Sequence, residues 1–79
     1  MEAGADAALI EDLAAALVAT MDRLRLFCGR CWTEGRFDPH GRSGLEAAVR
    51  ADAARHFARL GWRVAGKVVC PKCARSGGA

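Results

Sequence analysis

Seventy-nine residues with a net charge of +3, 52% hydrophobic content and four cysteines describe one small domain, or one domain with an arm. No apolar stretch approaches the ~20 residues of a transmembrane helix, so a membrane role is not expected. At this size an apolar core is marginal, and a metal or a second chain commonly supplies what is missing.

The modest net charge hides an asymmetry. Residues 1–22 hold five acids and no base, whereas residues 23–79 hold all twelve bases and four acids, a balance of +8. A basic half points to nucleic acid or to an acidic protein surface. Ten of the twelve bases are arginine and alanine is abundant, which is also the mark of a GC-rich coding bias.

Residues 1–5 read as a frayed start. Asp6 is a candidate N-cap, with Glu11 and Asp12 early enough to complement a helix dipole. From there to Leu26 the chain reads as one long amphipathic helix, because alanine is dense and neither glycine nor proline occurs between Ala5 and Cys28. Ile10, Leu13, Leu17, Met21 and Leu24 recur at spacings of three and four and share one stripe, which Leu9, Val18 and Phe27 widen. Arg23 and Arg25 fall in its last turn, where cations are favoured. About twenty residues at ~1.5 Å rise span about 30 Å, more than the rest of so small a domain covers. The stripe is therefore a candidate seam for a second copy of the chain or for a partner protein.

Phe27-Cys28-Gly29-Arg30-Cys31-Trp32 is a first Cys-x-x-Cys turn, with Trp32 placed to shield it. Residues 33–42 read as a loop with a turn at Asp38-Pro39-His40-Gly41, where His40 is a solvated residue. Ser43-Gly44-Leu45-Glu46 is a capping box, and a second helix is expected over residues 44–60, burying Leu45, Val49, Ala53, Phe57 and Leu60. His56 borders that stripe as a packed or half-exposed histidine, and Gly61 stops the helix. Trp62-Arg63-Val64 and Lys67-Val68-Val69, joined by Ala65-Gly66, read as a hairpin. It delivers the second pair, Cys70-Pro71-Lys72-Cys73, after which residues 74–79 read as a flexible tail.

The two pairs are the chemical signal. A tetrahedral Zn²⁺ takes four soft donors, and two residues between cysteines let one tight turn aim both sulfurs at one ion. Cys28, Cys31, Cys70 and Cys73 are thus the expected ligands of one structural zinc. Residues 1–8 carry Glu2 and Asp6 and no basic segment of the secretory kind, so a cytoplasmic chain with reduced thiols is expected, not two disulfides. A thioredoxin-like site would need a single motif in a βαβ setting, which is missing. Iron in a rubredoxin-like four-cysteine site is the serious competitor, although Trp32 and Ala74 stand where that family usually has glycine.

Cys28-x-x-Cys31, an alanine- and arginine-rich helix, Gly61-Trp62-Arg63-Val64 and Cys70-Pro71-x-Cys73 together resemble small zinc-ribbon-like proteins of GC-rich bacteria and their phages. The resemblance covers residues 28–73 and implies zinc coordination by the four cysteines. The 38 residues between the pairs exceed the spacing of many ribbons, with a helix filling the difference.

The expected fold is a small α+β zinc-stabilised domain with two zinc knuckles, one helix and a short β-hairpin, preceded by a long amphipathic N-terminal helix. Its parts are residues 1–26 (helix), 27–74 (zinc-binding domain) and 75–79 (tail). Four thiolates would close the metal shell and no catalytic motif accompanies them, so an enzyme is not expected. The expected role is a small adaptor or regulator that presents Arg55, Arg59, Arg63, Lys67 and Lys72 as a basic face. Its N-terminal helix would serve self-association or docking on a protein partner. Nucleic-acid binding through the same basic face is the alternative.

Overall fold

The computed structural model describes residues 7–77. Helix α1 (Ala7–Ala16) leads into a three-stranded antiparallel sheet of β1 (Val18–Ala19), β2 (Leu24–Phe27) and β3 (Glu34–Phe37), with β2 in the middle. Helix α2 (Ala47–Leu60) follows, then a hairpin of β4 (Arg63–Ala65) and β5 (Lys67–Val69), and finally a short helix α3 (Pro71–Gly77). The frayed start, the Asp6 cap and residues 78–79 of the expected tail lie outside the described residues, and residues 74–77 of that tail are not free but belong to α3. Among the described residues no helix is long and apolar enough to cross a membrane.

The long N-terminal helix is not formed. Helix α1 has 10 residues and ends before Leu17, where the chain becomes a β-hairpin. Thr20 turns it: the Thr20 amide donates to the Arg23 carbonyl at 2.8 Å, and its hydroxyl lies 3.2 Å from Asp22 Oδ1. Short polar side chains of this kind offer the backbone an alternative to helical bonding. Leu24, Leu26 and Cys28 then alternate into the core, all fully buried, as a strand requires.

This splits the expected stripe. Leu13 and Leu17 are buried beneath α1 and Ile10 packs against the same core, so these three lie against their own chain. Leu24 is buried from a strand, and Met21 stands 69% exposed at the hairpin turn. Arg50 on α2 ties the end of α1 down, donating to the Ala14 carbonyl at 2.7 Å.

Helix α2 starts three residues later than expected, and the capping box is not made. Glu46 precedes the helix without a side-chain cap, while Ser43 Oγ accepts the Leu45 amide at 3.2 Å in a local turn. Gly44 is the cause: a Cβ there would sit 2.2 Å from the Thr20 carbonyl oxygen, and its amide bonds the Met21 carbonyl at 3.0 Å. The segment is held flat against the β1–β2 turn, which leaves Leu45 exposed. Val49, Ala53 and Phe57 are buried as the spacing predicts, whereas Leu60 is exposed at the helix end. Gly61 ends α2 in the left-handed conformation (φ 109°), with its amide on the Ala58 carbonyl and the Trp62 amide on the Phe57 carbonyl.

Phe57 is the centre of the core. Trp62 meets it edge-on at 5.7 Å between ring centroids, and His56 is wedged between Phe57 and Phe37 at 5.4 and 5.3 Å. Strand β3, in a segment expected to be loop, crosses these rings at Gly35, where a Cβ would come within 2.8 Å of both Phe57 and Trp62.

Candidate metal centre

The first cysteine pair is the loop of the β2–β3 hairpin. The Cys28 amide donates to the Thr33 carbonyl at 2.9 Å, extending the ladder one step beyond Phe27 and Glu34. The Trp32 amide closes the turn on the Cys28 carbonyl at 3.0 Å. Trp32 brings the chain back into β3 with φ 65°, a conformation that L residues adopt at a cost of about 1 kcal/mol or more. The second pair is built differently. Cys70 ends the β4–β5 hairpin, Pro71 occupies the first position of α3, and the Ala74 amide bonds the Cys70 carbonyl at 2.8 Å.

Strand β5 brings the two pairs together. The Gly29 amide donates to the Val68 carbonyl at 2.7 Å, docking the first turn beside the strand that ends in Cys70. All four sulfurs lie within 4.8 Å of one another, with Cys31 Sγ and Cys70 Sγ 3.6 Å apart. A tetrahedral zinc with Zn–S of about 2.3 Å requires sulfurs about 3.8 Å apart, so the donor set fits one such ion. Cys28 and Cys70 are buried, Cys73 is half-buried and Cys31 is exposed.

Amides are aimed at the inner sulfurs. Arg30 and Cys31 donate to Cys28 Sγ at 3.3 and 3.4 Å, and Cys73 donates to Cys70 Sγ at 3.5 Å. Such bonds orient thiolate ligands and stabilise their charge. Burial pushes the Cys28 thiol up, but the amides around it prevail and bring it down to about 6. The Thr33 hydroxyl, 2.9 Å from Cys31 Sγ, lowers that thiol as well. Cys73 is pushed up to about 12, first by its contact with Cys31 and then by burial. Four thiolates in this space need a cation to be charged together.

Trp32 does not shield the cluster. It is 75% exposed, while Trp62 is the buried tryptophan, at 3%. The expected basic residues separate into different surroundings. Arg55 is paired with Asp52, which also holds Arg42 at 3.1 Å, and these arginines keep the Asp52 carboxyl below its ordinary range. Arg55, Arg59 and Arg63 line one groove of about 790 Å³, with Asp12 of α1 on its wall. Arg63 also lines a second groove of about 390 Å³, with Lys67, Arg30 and Cys73. Its guanidinium is held by the carbonyls of Trp62 (2.8 Å) and Ala58 (3.3 Å). Lys72 is exposed on α3 and lines neither groove.

Arg30 was not among the expected basic-face residues. Its place was deducible: if both pairs share one ion, a base inside the first turn must lie near the second. No family model, curated protein or solved structure matches the chain.

Proposed function

We infer that the protein is a zinc-stabilised interaction module, a small adaptor or regulator that meets an acidic partner through its basic grooves. The observation that carries this is the four-sulfur cluster, which joins two separate hairpins and offers zinc a closed shell. A closed shell leaves no position for substrate or activated water, which supports a structural and non-catalytic metal. The likeness of residues 28–73 to zinc-ribbon-like proteins belongs to the same proposal. Leu13, Leu17 and Leu24 serve the core of their own chain, so any self-association would use another surface than the expected helical seam.

Native mass spectrometry of protein purified without added metal tests this directly. One zinc per chain, lost together with the folded signal in circular dichroism on adding chelator, is the expected result. Iron with visible absorption would replace the proposal with electron transfer, and two disulfides without metal would remove it.

A further inference from the structure

The charge of the metal site accounts for only part of the basic surface. A zinc held by four thiolates carries a net charge of −2, and Arg30 and Lys67 line the groove that Cys73 also lines. Those two bases offset the cluster. Arg59 does not, because it lines the other groove, away from the sulfurs, where Arg55 is already paired with Asp52 and Asp12 stands on the wall. Arg63 lines both grooves.

The turn that carries Arg30 also presents an aromatic ring in an unusual place. Trp32 lies two residues beyond Arg30 on the same turn, so their Cα atoms are within about 7 Å. Its side chain is 75% exposed, and its backbone is held at a positive φ that glycine would adopt without strain. Neither core packing nor turn geometry explains a tryptophan there. An exposed indole two residues from a groove-lining arginine supplies the two elements by which unpaired bases are held, a ring for stacking and cations for phosphates. Base-paired nucleic acid offers no free base face to such a ring.

Resting on the interaction-module proposal above, we propose that the acidic partner is single-stranded nucleic acid. Its phosphates follow Arg59, Arg63, Lys67 and Arg30, and one unpaired base stacks on Trp32.

The test uses the full-length zinc-loaded protein and a dye-labelled thymidine oligomer of about 12 nucleotides, followed by fluorescence anisotropy. A duplex of the same length and poly-glutamate serve as competitors. Trp32→Gly is the informative variant, because glycine suits the backbone there and zinc content and fold are expected to be unchanged. Its affinity for the oligomer is expected to fall about tenfold or more. Arg59→Ala with Arg63→Ala is expected to weaken binding and to flatten the slope of log affinity against log salt by about 1.4. Trp32→Gly binding as tightly as wild type would overturn the proposal. So would a duplex or poly-glutamate competing as well as the single strand, although the acidic-partner proposal would then survive. No binding to any of the three polyanions would remove both.

Discussion

The two cysteine pairs have the same spacing and opposite construction. The Cys28–Cys31 turn caps a hairpin of the three-stranded sheet, is closed by backbone bonds to Thr33 and Trp32, and leaves Cys31 and Trp32 exposed. The Cys70–Cys73 turn starts a helix, with Pro71 presetting its backbone and Cys70 buried against the core. One knuckle is thus a surface loop held by its ladder, and the other is a strand-to-helix joint held by packing. A metal bound between them would fasten two hairpins that the Gly29–Val68 bond also joins.

The largest test of that comparison is loss of the metal. Removing zinc from such a site forfeits on the order of 10 kcal/mol, more than a domain of this size holds in reserve. Cys28→Ser and Cys70→Ser are expected to unfold the protein, read by circular dichroism. Cys31→Ser, at the exposed corner, is expected to weaken zinc while retaining more of the folded signal. Equal behaviour of all three would erase the distinction between buried and exposed ligands.

The next test attacks the contact of the first hairpin with the core rings without touching a cysteine. Gly35→Ala places a methyl 2.8 Å from Phe57 and Trp62, and overpacking of this kind costs about 1–3 kcal/mol. Thermal melting of the zinc form is expected to fall accordingly, and an unchanged midpoint would show that β3 shifts freely over the rings.

Acidification separates the knuckles by proton count. Zinc requires thiolates, so each proton displaced makes affinity rise about tenfold per pH unit. Cys73, at about 12, releases its proton on binding throughout the usual range. Cys28, at about 6, adds its own only below that value. Affinity measured against a chromophoric chelator is therefore expected to fall with decreasing pH, and more steeply below pH 6 than above it. A constant slope through that value would place the Cys28 thiol elsewhere.

The smallest effect is the stability of Trp32→Gly. Relief of the left-handed strain is worth about 1 kcal/mol or more, and the added freedom of the unfolded chain returns about 0.5–1. A gain near 0.5 kcal/mol in denaturant melts is expected, whereas a loss would show that the indole packs on the domain.

Some of this was legible in residue order, and the failures have local causes. The helix ending at Gly61 and the hairpin turning at Gly66 were readable because one residue decides each. The N-terminal stretch was misread because Leu17, Met21 and Leu24 fit a helical spacing while Leu24, Leu26 and Cys28 fit a strand. Alanine before Leu17 favoured the first period, and burial of the strand face decided for the second. Strand β3 escaped notice because Glu34-Gly35-Arg36-Phe37 carries almost no apolar alternation. Its place comes from pairing with β2.

What the sequence determined alone was which cysteines pair within each turn, since the spacing of paired cysteines is a property of a short turn and needs no distant contact. It also determined the helix that buries Val49, Ala53 and Phe57, whose periodicity has one reading. The tertiary structure decided which cysteines are buried and that Trp62, not Trp32, joins the core. It also decided that Arg30 meets Lys67 and Arg63 in one groove. Each of these depends on β5 lying beside the first knuckle, a contact between segments almost forty residues apart, and residue order carries no local trace of it.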